Sequence, residues 1–199
     1  MKRSIIIVGV GGQGTLLASK ILSTAAMERG LFVRTSETIG MAQRGGSVSS
    51  HVRMDAKELS PVIPEGRADL LLGFELSEAA RILGKLAPEA KAVVNAEKIV
   101  PTNVALKKGV YLEDEYLELL KKRVPGAMLV EGTPLALKAG NARSLNVVMI
   151  GAASGAGLLP FTEDEMRAAL RKSVREKTLA VNEKAFDLGI EEGLRWREK

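Results

Sequence analysis

The chain has 199 residues, 46% of them hydrophobic and 27% charged, with a net charge of +5 and no cysteine. That length suits one domain with a well-buried core and leaves little room for two. Without cysteine the chain forms no disulfide and holds no thiolate-bound iron–sulfur cluster, and with His51 as the one histidine it offers no Cys/His zinc site.

The positive charge is interspersed. Lys107, Lys108, Lys121, Lys122 and Arg123 surround the acidic stretch Glu113-Asp114-Glu115, which reads as a solvated surface and not as a nucleic-acid footprint. The apolar run near the N-terminus breaks into glycines too early for a signal peptide. The longest apolar stretch, Leu145–Leu159, is too short to span a bilayer and contains Asn146, Ser154 and three glycines. These features predict a soluble, cytoplasmic protein with neither membrane nor nucleic acid as a partner.

In chain order, Ser4–Gly9 is nearly all apolar, as a central parallel strand buried on both faces should be. Leu16, Leu17, Ile21 and Leu22 then recur at helical spacing up to Gly30, a helix stop, and Leu31–Arg34 reads as a second strand. A polar loop, Ser36–Gly46, leads to Ser47–Met54, where Val48 and Val52 alternate with polar residues as in an edge strand. Ala68–Phe74 reads as a strand, Leu76–Lys85 as a helix and Lys91–Asn95 as a short strand. Glu113–Lys122 is an amphipathic helix and Ala127–Val130 the last strand. Helices are predicted over Thr133–Ala139, Ser144–Leu158, Glu163–Arg171 and Val174–Leu188. The alternation predicts an α/β fold: a Rossmann-like open, mainly parallel sheet with helices on both faces, in one domain. The Leu145–Leu159 helix is apolar all round and rich in Gly, Ala and Ser, fit either for the domain core or for close packing against a partner subunit.

Gly9-Val10-Gly11-Gly12-Gln13-Gly14 satisfies G-x-G-x-x-G between a strand and a helix, the setting in which backbone N–H groups approach a phosphate. A dinucleotide site also needs an acidic residue at the end of the second strand. Here that strand ends in Arg34-Thr35, with Glu37 beyond. Classical NAD(P) binding, with Arg34 meeting a 2′-phosphate, competes with a glycine turn used for tight packing alone. A stand-alone NAD(P)-dependent oxidoreductase and a non-catalytic nucleotide-sensing module are therefore the alternative functions.

The second candidate is the loop Thr38–Ser47, in which Gln43 and Arg44 precede Gly45-Gly46 near the carboxyl end of the sheet. An arginine beside flexible backbone suits a phosphate or carboxylate. His51, in a strand-like run, reads as structural. Asp55, Glu58, Glu65 and Asp69 lack metal-ligand spacing.

Three strings together, Gly9–Thr15, Thr38–Val48 (with Met41-Ala42-Gln43-Arg44-Gly45-Gly46-Ser47 at its heart) and His51-Val52-Arg53, resemble the γ-type domain of the 2-oxoacid:ferredoxin oxidoreductases, and within that family its indolepyruvate branch. Glu131-Gly132-Thr133 and Asn146-Val147-Val148-Met149 fit as well, so the resemblance covers nearly the whole chain, 1–199, as one catalytic domain. It implies the small subunit of a complex that oxidatively decarboxylates an arylpyruvate to an acyl-coenzyme A and passes the electrons to ferredoxin. Thiamine diphosphate, magnesium and the iron–sulfur clusters would belong to a large partner subunit, and this chain would hold no cofactor of its own. Alone it would be inactive, as a homodimer or awaiting its partner. Gly11, Gly12, Gln13 and Gly14, with Gln43, Arg44, Gly45, Gly46 and Ser47, are the residues expected to border the active site or the path of coenzyme A. No residue is assigned a catalytic role.

Overall fold

Strand β1 (Arg3–Val10) divides its side chains between two cores: Ile5 and Ile7 point into one, Ile6 and Val8 into the other. A strand apolar on both faces must be covered on both sides, and the rest of the chain does this. The computed structural model describes residues 3–40, 46–55, 60–96 and 110–198. The other strands are β2 (Val33–Ile39), β3 (Ser47–Met54), β4 (Ala68–Gly73), β5 (Leu86–Asn95) and β6 (Met128–Val130). They form one six-stranded sheet in the order β2-β3-β1-β4-β5-β6. Strands β1, β4, β5 and β6 run parallel, whereas β3 lies antiparallel to both β1 and β2.

The helices are α1 (Thr15–Glu28), α2 (Leu76–Arg81), α3 (Glu113–Arg123), α4 (Gly132–Ala139), α5 (Leu145–Gly155), α6 (Glu163–Ser173) and α7 (Glu176–Arg197). One core joins the sheet to α1, α4, α5, α6 and α7 through Ala18, Ala136, Val148, Met166 and Phe186. The opposite core joins it to α2 and α3 through Leu76, Ala79 and Leu120. The expected fold class, helices on both faces of a mostly parallel sheet, is the one observed. No helix among the described residues is long and apolar enough to cross a membrane.

Several local expectations need correction. Ser47–Met54 is a strand with the expected bounds, but it is interior and not at the edge: Ser50 pairs with Ile7 on one side and with Glu37 on the other. Its polar residues gave an edge-like pattern, yet Ser50, His51 and Arg53 are buried, and the last two are supplied with partners from within the fold. His51 Nδ1 accepts from the Ile63 amide at 3.2 Å, and Arg53 donates to the Ser60 carbonyl at 2.8 Å. The true edge is β2, which extends through Ile39 into the predicted loop. Its Arg34, Thr35, Glu37 and Thr38 are exposed, so pairing with β3 specifies this strand and burial does not. Finally, β2 is not the neighbour of β1. In the dinucleotide-binding fold the second strand lies directly beside the first. Here β3 occupies that place, which moves Glu37 one strand away from the glycine turn and removes the topological basis for a ribose-binding acid. The helix predicted over Leu76–Lys85 also ends early, at Arg81, followed by a 3-10 turn over Leu83–Lys85, and β5 begins at Leu86, five residues before the predicted strand.

The small residues of α5 have their partner inside the chain. Added Cβ atoms on Gly151 and Gly155 would stand 2.4 and 2.3 Å from the Phe186 and Ile190 carbonyl oxygens of α7. Reciprocally, Cβ atoms on Gly189 and Gly193 would stand 2.2 and 2.3 Å from the Val148 and Ala152 oxygens of α5. The two helices thus touch backbone to backbone, and this face of α5 is closed by α7.

Two predictions follow from this packing. Alanine in place of a mid-helix glycine gains up to ~1 kcal/mol of helix propensity, but overfilling a close contact costs about 1–3 kcal/mol or more. The contact should win: Gly189→Ala lowers the melting temperature, and an increase would mean that the helices do not touch. The second concerns His51, whose pKa is lowered by burial and then by Lys85 and Arg53. A base with a depressed folded pKa contributes stability that is complete above its unfolded value of about 6.5 and is lost as the pH falls below it. The stability difference between the parent and His51→Asn should therefore narrow between pH 7.5 and 5.5 in chemical denaturation, and a constant difference would contradict this.

Candidate functional site

In an open α/β sheet the crevice lies beyond the carboxyl ends of the strands, where successive connections leave toward opposite faces. That point is here between β1 and β4. The chain leaves β1 through Gly11–Gly14 into α1 on one face, and leaves β4 through Phe74-Glu75 into α2 on the other. Because β3 is antiparallel to β1, its first residue, Ser47, also stands at this end, opposite Val10.

Side-chain amides close the floor of the crevice. Gln13 folds back so that its Oε1 accepts from the Val10 amide at 2.7 Å while its Nε2 donates to the Phe74 carbonyl at 2.8 Å. Asn95, at the end of β5, donates to the same carbonyl at 3.2 Å and accepts from the Gly132 amide at 3.0 Å. Asn146, on α5, donates to the Gly14 carbonyl at 3.1 Å. Asn95 and Asn146 are buried, at 0% and 1% exposure, and such groups persist inside a protein only when their hydrogen bonds are made.

This arrangement shows what the glycines are for. A Cβ on Gly9 would lie 2.5 Å from Gln13 Oε1, and one on Gly14 would lie 2.4 Å from Asn146 Nδ2. Gly14 also takes the left-handed conformation, φ 80°, which a side chain would strain. Two of the three motif glycines therefore make room for the protein's own amides, where a dinucleotide fold makes room for a pyrophosphate. Gly12 differs: nothing lies within 4 Å of where its Cβ would stand. No side chain caps α1, and the first amides of any helix have no partner within it.

The second loop meets the first. The Gly11 amide donates to the Gly46 carbonyl at 2.8 Å, and the Gly40 amide to the Ser47 carbonyl at 2.8 Å. Of the expected site residues, Gly11, Gly12, Gln13, Gly14, Gly46 and Ser47 are thus brought together. Gln43, Arg44 and Gly45 lie outside the described residues.

Two carboxylates at the start of α2 had not been singled out from the sequence. Glu75, fully buried, caps the helix: one of its oxygens accepts from the Glu78 amide at 2.9 Å and the Ser77 hydroxyl at 2.6 Å. Its other oxygen accepts from the Tyr111 hydroxyl at 2.6 Å. Burial, then that bond to Glu75, raises the Tyr111 pKa, so the phenol stays protonated and remains a donor. Glu78, 6% exposed, accepts from the Ser47 hydroxyl at 2.6 Å and has Arg81 at 3.5 Å. Thus α2 grips the end of each neighbouring loop: Ser47 by Glu78, Tyr111 by Glu75. The available signal was two acids three residues apart at the first turn after a strand, which reads equally well as an ordinary helix cap.

His51 lies in the sheet with its Nδ1 engaged, as a structural residue. Among the described residues, no group of three His, Cys, Asp or Glu side chains is placed to hold a metal ion. The crevice can bind and orient an anion or a partner's surface, with its carboxylates already committed to donors.

Residues 4–192 match the family model described as pyruvate ferredoxin/flavodoxin oxidoreductase. Indolepyruvate oxidoreductase subunit IorB of Archaeoglobus fulgidus is 39% identical over 99% of this chain and 98% of its own length. The γ subunit of a keto/oxoacid ferredoxin oxidoreductase from Geobacter sulfurreducens shares the fold, with a TM-score of 0.70 at 22% identity, covering 97% of this chain and 99% of that one. The 2-oxoglutarate:ferredoxin oxidoreductase of Magnetococcus marinus, solved with 2-oxoglutarate, coenzyme A and succinyl-CoA bound, superposes with a TM-score of 0.71 at 21% identity over 98% of this chain but only 31% of its own. The resemblance carried by the glycine turn and the Arg-Gly-Gly string is thereby confirmed: the chain belongs to the pyruvate ferredoxin/flavodoxin oxidoreductase family.

Proposed function

We propose that this chain is the small subunit of a thiamine-diphosphate-dependent 2-oxoacid:ferredoxin oxidoreductase acting on indolepyruvate or another arylpyruvate. The observation that carries the reading is that the two strings behind the resemblance meet at one crevice, joined by the Gly11–Gly46 hydrogen bond, in a chain 39% identical end to end to an indolepyruvate oxidoreductase subunit. The complex would convert the 2-oxoacid and coenzyme A to an acyl-coenzyme A and carbon dioxide, with two electrons passing to ferredoxin. The large subunit would supply the thiamine diphosphate, magnesium and iron–sulfur clusters, because this chain has no cysteine and no described carboxylate set for a metal. Thiamine diphosphate supplies the electron sink for decarboxylation.

The part of this chain is to bind and position. Gly12 and the uncapped first turn of α1 offer backbone donors to a phosphate of coenzyme A. Glu78 holds Ser47, and so the base of the Arg44 loop, against α2. The whole of 1–199 works as one such catalytic domain, in the cytoplasm, inactive until the large subunit is present. A stand-alone NAD(P) enzyme fits less well, since β3 stands beside β1 where the dinucleotide fold has its second strand, and Glu37 lies a strand away from the glycine turn.

The test is viologen reduction by the complex reconstituted from both subunits. Loss of a charge-assisted hydrogen bond of ~1.5–3 kcal/mol should lower turnover by about ten- to a hundredfold in Arg44→Ala. Its melting temperature should match the parent's. Arg44→Lys keeps the charge without the planar fork and should recover only part of the rate. Full activity in Arg44→Ala would remove this loop from the site.

A further inference from the structure

At the opposite end of the sheet from the crevice, the first residues of β1, β4 and β5 and the last of β3 surround a cavity of about 570 Å³. Three arginines line it: Arg3, Arg53 and Arg67. Arg53 is only 6% exposed. Its Nε donates to the Ser4 hydroxyl at 3.3 Å and its Nη1 to the Ser60 carbonyl at 2.8 Å, both neutral acceptors. None of the three arginines forms an ion pair with a carboxylate among the described residues. Among the described residues the one acid on the cavity wall, Asp69, accepts from the Ser4 amide at 2.7 Å.

A guanidinium this deeply buried is costly unless an anion meets it. Arg53 has made two hydrogen bonds of the five that its fork can donate, and it borders a cavity large enough for a small molecule. Its charge also reaches the neighbouring interior, where with Lys85 it opposes protonation of His51. From this geometry we infer that the cavity is a binding site for a phosphoryl group carried on a small apolar molecule, separate from the crevice and from any coenzyme bound there.

Charge decides between the two anions an arginine fork accepts. Among the described lining residues, three guanidiniums against the single Asp69 carboxylate leave two positive charges. A phosphate monoester brings about −1.5 to −2 at neutral pH, whereas a carboxylate brings one. Three acceptor oxygens also allow each arginine its own partner. Beyond the charged floor, Pro64, Ala87 and Pro88 give the wall an apolar part, against which the remainder of the ligand would rest.

Calorimetric titration of the full-length chain with phenyl phosphate, inorganic phosphate and benzoate tests this. Phenyl phosphate should bind one per chain and raise the melting temperature, with inorganic phosphate weaker and benzoate weakest. Arg67→Ala should weaken phenyl phosphate by about tenfold or more at an unchanged melting temperature. Arg53→Met should abolish binding yet raise the melting temperature of the unliganded chain, because an apolar side chain of similar length replaces a buried charge. Should Arg53→Met fail to fold, Arg67→Ala still decides the matter. Absence of binding by both phosphate probes, equal binding by Arg67→Ala and the parent, or benzoate binding as tightly as phenyl phosphate would each overturn the assignment.

Discussion

The carbonyl oxygen of Phe74, just past the end of β4, is the point on which this end of the molecule depends. It accepts from Gln13 on the turn after β1 and from Asn95 at the end of β5. Asn95 passes the restraint on to Gly132, the first residue of α4 after β6. The four parallel strands are therefore tied together at their carboxyl ends by two side-chain amides meeting one backbone oxygen. Each amide makes one hydrogen bond from its donor side and one on its acceptor side. A buried network satisfied in this way is rigid, and losing one member leaves the others unpaired at a cost of about 1–3 kcal/mol each.

That rigidity explains why a motif associated with nucleotides serves another end here. The glycines at 9 and 14 are needed because side-chain amides press against them, and no phosphate has to be invoked for either. What remains open at the turn is Gly12 and the uncapped start of α1, beside a loop whose base is held by the Ser47–Glu78 hydrogen bond. The two buried carboxylates of the crevice, Glu75 and Glu78, already accept from Ser47, Ser77 and Tyr111.

Much of this was legible in the sequence where one physical rule acted alone. The apolar run Ile5–Val8 dictated a doubly buried strand, and the small residues of Leu145–Leu159 signalled a helix in close contact with another. The partner of that helix was not legible, because Gly189 and Gly193 sit among charged residues and only their spacing of four hints that they face Gly151 and Gly155. The placement of β3 was missed because its buried His51 and Arg53 look like solvent-facing residues until their acceptors and donors are known. The amide network was equally hidden. Gln13, Phe74, Asn95, Gly132 and Asn146 are far apart in the chain, and the bond that unites most of them is to a main-chain oxygen, which carries no sequence signal. The strings that carry the family resemblance around Gly132 and Asn146 nevertheless fall on this network, so the resemblance marked the residues before their physical role was visible.

If the proposed function holds, the crevice at the carboxyl ends of the strands, held by the Phe74 network, is the face that a large subunit would cover to complete the site. Amide hydrogen exchange of this chain, free and in the reconstituted complex, tests it most directly. The account predicts added protection at Gly11, Gly12 and Thr15, at Ser47 and in the first turn of α2, with the exposed edge of β2 unchanged. Protection confined to β2 or to the outer face of α7, with the glycine turn exchanging as in the free chain, would contradict it.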